Sequence, residues 1–346
     1  MAFDPVLLKR NDGAMVKCAG DWEARRAELL DVLSREEYGY MPKAAPVECE
    51  TLSKNNDHYG GHGLAEEMAL TIHAPLGDYR LPLTLIKPDL PGRLPLFLFL
   101  SFEKELYQKY FPLQEVLSRG YAVALIHYKS VSSDDGDMQN GLAAVMPRSQ
   151  DGTGWGKLTL WAWAASRVLD AMLLRPDVDA NNIAVIGHSR LGKTALWCGA
   201  NDERIRFVCV NDSGASGAAY ARGKDPRGEN VRIITHHFPF WFCENYQAYV
   251  DRENDMPFDQ HYAVAACCPR FVAVSSASED YWAGPESEKK SCEKASEAWE
   301  ICGLKGFDAG ADARVSYNLR DGIHFLSLED WRFYMDFIDE RRGVSW

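Results

Sequence analysis

The chain has 346 residues, of which 46% are hydrophobic, and a formal charge of −12 at pH 7. This length allows two domains, but it also suits one large α/β domain with an elaborated loop, and we predict a single domain over residues 1–346. The negative charge argues against a nucleic acid partner and against an anionic membrane surface. No run approaches the roughly 18 apolar residues that span a bilayer.

The N-terminal segment and the cysteines bear on the compartment. Met1–Arg10 has no charged stretch followed by a long apolar run, so it does not predict a signal peptide. The nine cysteines are odd in number and several, such as Cys198 and Cys209, lie in apolar runs, which favours buried free thiols. We therefore expect a cytoplasmic protein, or a secreted one if a leader was removed. No cysteine or histidine cluster predicts a metal site.

In chain order, the first predicted elements are one helix and four strands. Residues 20–38 carry apolar side chains at helical spacing, with Asp21 as the expected cap. Two runs rich in strand-forming residues follow, and then two nearly unbroken apolar runs that suit strands buried on both faces. These four runs are Glu67–His73, Leu81–Ile86, Leu94–Leu100 and Tyr121–Ile126.

Farther along, strands alternate with helices. The pattern predicts helices near 157–174, 288–302 and Leu328–Glu340, and strands at Ile183–Ile186, Phe207–Val210, Phe271–Ser275 and Arg314–Tyr317. Such alternation predicts an α/β fold with a doubly wound, mostly parallel sheet sandwiched by helices. Residues 1–90 would supply the first helix and antiparallel edge strands. The segment of about 212–269 lacks the alternation, and we predict it to be a lobe inserted near the active site.

The stretch Gly187–Lys193 carries the strongest chemical signal. It reads G-H-S-R-L-G-K between an apolar strand and a helix start at Thr194. A serine in a tight turn between strand and helix is typical of a nucleophile elbow, whose helix N–H groups face the developing oxyanion. The second glycine of the usual G-x-S-x-G pattern is displaced by one residue, to Gly192. We predict Ser189 as a nucleophile, with an incidental turn serine as the alternative.

A serine nucleophile needs a base, and in α/β-hydrolases the histidine comes last in the chain, after the serine and the acid. Four histidines follow Ser189. His324 lies between the last strand and the last helix, where this fold returns a histidine to the elbow, so we predict it as the base. We expect His261 to be structural, and His236 and His237 to line the pocket or face solvent.

Two aspartates compete to be the acid that orients the base. Asp280 follows the strand Phe271–Ser275, and Asp212 follows the strand after the elbow. Both lie at the carboxyl ends of strands, where α/β sheets place ligands. Each could instead cap a helix, so the residues alone leave the choice open.

Two cations, Arg190 and Lys193, follow the serine closely at the N-terminal end of the predicted helix. Cations are unfavourable there because the helix N-terminus is already positive. Their placement therefore suits the binding of an oxyanion or of an oxygen-rich substrate. The alternative is that both are surface residues with no ligand. Tyr281 and Trp282, just after Asp280, could form a sugar-stacking face or pack in the core.

Several stretches match one set of family motifs. They are the elbow Gly187–Lys193, which matches G-C-S-R-x-G-K with His188 in place of cysteine, then Asp212–Ala219, Gly228-Glu229, Phe238–Cys243, Asp259–His261, Cys268–Arg270, and Asp280 with Trp282 and Pro285. Together with the helix from Trp161 and the region from Trp22 to Gly39, they cover nearly the whole chain. The chain resembles the glucuronoyl esterases of carbohydrate esterase family 15.

The resemblance implies an α/β-hydrolase with Ser189 as nucleophile and His324 as base. It implies that Arg190 aids the oxyanion hole through its backbone N–H and its side chain. The family's glutamate after the next strand is replaced by Asp212, which is one methylene shorter. Because bacterial relatives can use an aspartate at the position of Asp280, the resemblance favours Asp280, with Asp212 in support.

The resemblance also implies that Lys193, Glu229 and Trp282 contact a uronate sugar and that no metal or cofactor takes part. The expected substrate is a small-molecule or oligosaccharide ester of glucuronate or 4-O-methyl-glucuronate. Without an export signal, imported fragments are a more natural substrate than polymeric lignin–xylan. The alternatives are a sugar O-acetyl esterase of the acetylxylan type and a non-catalytic carbohydrate-binding protein on a hydrolase scaffold. The sequence does not predict the oligomeric state.

Overall fold

Nine strands form one sheet in the described part of the structure, which is a computed structural model. The structure describes residues 5–58 and 60–344. The first four residues of Met1–Arg10 and the last two of the predicted domain lie outside these ranges. The strands are β1 Val47–His58, β2 Gly63–Ala74, β3 Gly77–Pro88, β4 Leu94–Ser101, β5 Ala122–His127, β6 Val178–His188, β7 Phe207–Asn211, β8 Phe271–Ala277 and β9 Val315–Arg320. Their order across the sheet is β1-β2-β3-β5-β4-β6-β7-β8-β9.

Helices pack on both faces of this sheet. They are α1 Ala19–Leu33, continued by a π-helical turn at Ser34–Tyr38, α2 Leu113–Ser118, α3 Tyr128–Val131, α4 Lys157–Met172, α5 Arg190–Asn201, α6 Val231–His237, α7 His261–Ala265, α8 Pro285–Ile301 and α9 Leu328–Arg342. Short 3-10 helices occur at Gly141–Val145, Pro239–Trp241, Glu244–Tyr249 and Glu253–Asp255. None of the helices in the described ranges is long and apolar enough to cross a bilayer.

The side chains of β4 show why the sheet is covered twice. Leu96 and Leu98 belong to the buried cluster under α1, α4, α5 and α8, whereas Phe97 and Phe99 belong to the cluster under α2 and α9. The strands from β4 to β9 pair in parallel, and β1, β2 and β3 form antiparallel hairpins at one edge. The predicted α/β-hydrolase architecture with an antiparallel edge is therefore confirmed.

Two local predictions need correction. The edge strand β1 was not predicted, because its residues are mostly polar and exposed and show no alternation of apolar side chains. The cap of α1 is Cys18, not Asp21. Asp21 lies inside the first turn, where its carboxylate accepts the N–H of Lys17 at 3.0 Å.

The segment between β7 and β8 holds α6, α7 and three 3-10 helices but no strand, and every residue of it is described. Seven of its residues line the cavity beside Ser189: Asp212, Ser213, Gly214, Glu229, His237, Phe238 and Trp241. Its description as a lobe stays a prediction.

Candidate active site

Ser189 occupies a strained turn between β6 and α5, with φ +58° and ψ −126°. Such a conformation is costly for a residue with a side chain and is typical of a nucleophile elbow. A Cβ added at Gly187 would lie 2.0 Å from the carbonyl oxygen of Leu191, and one at Gly192 would lie 2.8 Å from that of Asn211. The displaced glycine is thus needed because α5 passes closely over the end of β7.

His324 lies on the loop between β9 and α9, with Nδ1 at 2.5 Å from Oδ2 of Asp280. The Asp280 side chain is buried, whereas that of His324 is 41% exposed. Oδ1 of Asp280 accepts the N–H of Ala283 at 3.1 Å, which fixes the carboxylate. With Nδ1 held by Asp280, Nε2 of the imidazole is left for a proton from the serine.

Asp212 is turned differently. Its Oδ1 accepts the N–H of Ala277 at 2.8 Å, and its Oδ2 lies 3.4 Å from the guanidinium of Arg320. Burial, together with the carboxylates of Glu288 and Asp280, raises the pKa of Asp212 to about 9. The structure therefore brings Asp280, rather than Asp212, into contact with the base.

The predicted residues meet around one cavity of about 340 Å3. Its lining includes Ser189, Arg190, Lys193, Asp212, Glu229, Trp282 and His324, and also Ser213, Gly214, His237, Phe238, Trp241 and Ala283. Asp280 is not part of the lining, since it lies behind His324. The described ranges also contain one group of side chains spaced closely enough to hold a metal ion. It consists of Asp212, Asp280 and His324, whose ligand atoms all lie within 4.8 Å of one another.

An ion pair forms one wall of the cavity. Nζ of Lys193 lies 3.6 Å from Oε2 of Glu229 and donates to the carbonyl oxygen of Ser213 at 2.5 Å, and both side chains are buried. Burial lowers the pKa of Lys193, and the nearby carboxylates act in the opposite direction. The N–H of Glu229 donates to the carbonyl oxygen of Trp282 at 2.9 Å.

The two aromatic residues after Asp280 are exposed, Tyr281 at 46% and Trp282 at 50%. The core-packing alternative for this pair is therefore wrong. Because Trp282 also lines the cavity, its indole face is available to a sugar ring. Arg227 already covers Tyr281, with its guanidinium carbon 3.7 Å from the ring centroid.

The guanidinium of Arg190 is held in place on several sides. It pairs with Asp134 and lies 4.8 Å from the ring centroid of Trp241 and 5.2 Å from that of Phe238. Asp134 in turn accepts the indole N–H of Trp241 at 2.8 Å. Arg190 is thus ordered at the cavity wall, and the surface alternative for it is wrong.

The other histidines after Ser189 differ in burial and position. His261 is buried, with ring contacts to Tyr220 and Tyr262 at 5.4 and 4.7 Å, which agrees with the structural role expected of it. His237 lines the cavity and is exposed, and His236 lines a neighbouring groove.

Two functional supports were missed by the sequence reasoning. Glu288 is fully buried and accepts the N–H groups of Ser213 and Gly214 at 2.8 and 2.9 Å. Arg320 donates to the carbonyl oxygens of Ile323 and Phe325, on either side of the base. Neither residue lies in a recognisable motif, and a buried charge on an amphipathic element cannot be told from a solvated one by spacing alone.

Comparisons with known sequences agree with this geometry. A profile of fungal glucuronyl esterases matches residues 110–303. A carbohydrate esterase from an unknown prokaryotic organism is 30% identical over 97% of this chain and 88% of its own length. The 4-O-methyl-glucuronoyl methylesterase 1 of Wolfiporia cocos is 26% identical over 88% of this chain and 72% of its own.

Solved structures give the same result. A glucuronoyl esterase from Solibacter usitatus is 31% identical and superposes with a TM-score of 0.88 over 99% of this chain and 98% of that one. A promiscuous esterase of carbohydrate esterase family 15 from a marine bacterial metagenome is 28% identical and superposes with a TM-score of 0.88. The superposition covers 98% of this chain and 97% of that one. The chain therefore belongs to the glucuronoyl esterases of carbohydrate esterase family 15 and is a carboxylic ester hydrolase.

Proposed function

We propose that this hydrolase cleaves esters of uronic acid carboxylates, with glucuronate or 4-O-methyl-glucuronate as the acid. The observation that carries the proposal is the buried pair of Lys193 and Glu229 in the same cavity as Ser189. A sugar that donates the acyl group must lie beside the nucleophile, and its hydroxyls need charged partners there. An acetyl group needs no such wall. The names of the relatives, 4-O-methyl-glucuronoyl methylesterases among them, support the same acid.

In the proposed mechanism Ser189 is the nucleophile. Its Oγ attacks the C6 carbonyl carbon of the uronate ester, and Nε2 of His324 takes the hydroxyl proton. The tetrahedral intermediate collapses, the bond to the alcohol oxygen breaks, and the alcohol leaves with the proton from His324. Water then attacks the acyl-enzyme, His324 accepts a proton from it, and the free acid leaves as the proton returns to Ser189.

Asp280 and Arg190 act on the charges that develop during this sequence. Asp280, 2.5 Å from His324, orients the imidazole and balances the imidazolium. The N–H of Arg190, which begins α5, faces the developing oxyanion together with its guanidinium. A single removed oxyanion donor costs about 10²–10³ in kcat.

The test compares two acyl donors and one inactive variant. Benzyl or methyl glucuronate should be turned over with a higher kcat/KM than acetylated xylo-oligosaccharides, and Ser189→Ala should lose activity by several orders of magnitude. Near-normal hydrolysis by Ser189→Ala would refute the mechanism. A clear preference for the acetylated sugar would make the protein an O-acetyl esterase. A phosphonate ester probe that fails to label the wild type would favour the non-catalytic alternative.

We also propose that the protein acts in the cytosol. Its nine cysteines are all free, and Cys18 and Cys49 are exposed, which suits a reducing compartment. Fractionation of the native host with an antibody tests this, and enrichment outside the cytosol would overturn it.

A further inference from the structure

His188, which precedes the nucleophile, lies directly against the base. Its ring centroid is 4.4 Å from that of His324, with 41° between the ring planes. The side chain is 4% exposed and also contacts the ring of Tyr110 at 5.5 Å. The imidazole of His324 is therefore held at Nδ1 by Asp280 and packs against the ring of His188.

The hydrogen bonds of His188 fix its tautomer. Nδ1 lies 2.6 Å from Oδ1 of Asn211, and Nδ2 of Asn211 donates to the carbonyl oxygen of Ser275 at 3.2 Å. Because that carbonyl can only accept, the Asn211 amide must point its NH2 group toward β8 and its oxygen toward His188. Nδ1 of His188 must then carry the proton, and Nε2 holds the lone pair.

The surroundings also disfavour a positive charge on this ring. Burial has the largest effect and, with the positive charges of His324, Arg320 and Arg190, lowers the pKa of His188 well below its usual range. The Asp212 carboxyl, 4.0 Å from Nδ1, is the acid that faces the ring. An uncharged ring can pack against the imidazolium that forms during catalysis, whereas a second cation would repel it.

We propose that His188 is a positioning residue whose fixed ring holds the plane of the His324 imidazole, so that Nε2 faces Ser189 throughout acyl transfer. The inference rests on the proposed roles of Ser189 and His324. Cysteine, which the family motif carries at this position, has no ring with which to make this contact. This chain thus restrains its base by an aromatic contact that the motif residue does not provide.

The first test is His188→Cys. We expect kcat to fall about tenfold with KM nearly unchanged, because an imidazole that is free to tilt spends less time in the reactive geometry. The rate at which a phosphonate ester labels Ser189 should fall by the same factor. The matched control is Phe207→Leu, which also removes a ring from the sheet but lies at the start of the neighbouring strand β7, at the end away from the site. Its kcat and labelling rate should equal those of the wild type.

The second test uses Asn211→Ala, which leaves the His188 ring in place but removes its hydrogen bond. It should show a smaller loss of labelling, and the double variant should be no slower than His188→Cys alone, because both changes act through one ring. If His188→Cys does not fold, a loss of labelling in Asn211→Ala with unchanged KM supports the inference, and a wild-type rate overturns it.

Two further outcomes would overturn the inference: wild-type labelling in His188→Cys, and an equal loss in Phe207→Leu. Failure of the proposed function looks different, since the probe would then label Ser189→Ala as well as the wild type, or label neither. The labelling rate needs no natural substrate, so it separates the two cases.

Discussion

The carboxylate of Asp280 contacts Nδ1 of His324 at 2.5 Å, whereas the carboxylate of Asp212 accepts the backbone N–H of Ala277 at 2.8 Å. Both acids follow parallel strands, and both lie at the carboxyl ends of those strands. One of them touches the base, and the other fixes the end of β8. This difference in partner leads to the first prediction.

Asp280→Asn should lower kcat on benzyl glucuronate by about 10⁴-fold, because an amide cannot hold the productive tautomer of the base or balance its charge. Asp212→Asn should cost far less, because this side chain bonds to Ala277 and Arg320 and makes no hydrogen bond to the base. Steady-state kinetics of both variants checks this. Equal losses in the two single variants would contradict the prediction, because both acids would then be needed. A large loss confined to the double variant would mean that the two acids substitute for each other.

Lys193→Met and Glu229→Gln should each raise KM for a glucuronate ester at least tenfold, since one binding partner is lost and the other is left buried and unpaired, an effect of about 2–5 kcal/mol in protein interfaces. Hydrolysis of 4-nitrophenyl acetate, which lacks a sugar, should change little. The matched control is Lys87→Met, which breaks an ion pair with Asp177 away from the site. Unchanged KM in both site variants would contradict a sugar contact at this wall.

Gly192→Ala should lower both stability and activity. The added Cβ would lie 2.8 Å from the carbonyl oxygen of Asn211 and 3.1 Å from Cβ of Ser213, so α5 must shift, at a cost of about 1–3 kcal/mol. Gly20→Ala in α1 is the control, because there the nearest atom is Sγ of Cys18 at 3.8 Å. Urea unfolding measures the stability of the two variants, and steady-state kinetics measures their kcat/KM. A Gly192→Ala variant as stable as Gly20→Ala would show that the elbow tolerates a side chain.

The last prediction concerns stability and pH. Burial raises the pKa of Glu37 to about 7, although Gln260 donates to both of its oxygens at 3.0 Å. In the unfolded chain the pKa of a glutamate is about 4.3. Between about pH 4.3 and pH 7, Glu37 therefore holds a proton in the folded state and is ionised in the unfolded chain. The contribution of Glu37 to the free energy of unfolding is complete below about pH 4 and falls by about 1.4 kcal/mol per pH unit until pH 7.

Glu37→Gln should remove this slope. Urea unfolding at several pH values from 4 to 8 measures it as the difference between wild type and variant, because other buried groups contribute equally to both curves. A difference that stays constant with pH would show that Glu37 is ionised in the folded protein.

Much of the fold could be predicted because its signals are local. The apolar run of β4 is buried on both faces, and the alternation of strands and helices follows from periodicity. The edge strand β1 could not be predicted, since it is held by backbone pairing with β2 while its side chains remain mostly polar and exposed. Edge strands depend on a neighbour more than on their own pattern.

The residues of the site also separate into those that the sequence predicted and those that it did not. Ser189 could be predicted because the elbow is a local turn, and His324 because chain order in this fold restricts the candidates. Arg320 and Glu288 could not, because their roles depend on backbone groups that come from other segments. Trp282 was ambiguous until its exposure was known.

The sequence by itself determined the α/β-hydrolase architecture, the nucleophile turn at Ser189 and the family, all of which rest on residues close together in the chain. Only the tertiary structure decided which acid touches the base. The residues alone left Asp212 and Asp280 equivalent, each following a parallel strand, and the family resemblance favoured Asp280. The choice between them depends on where the loop from β9 places His324, and contacts between segments that are remote in the chain set that position.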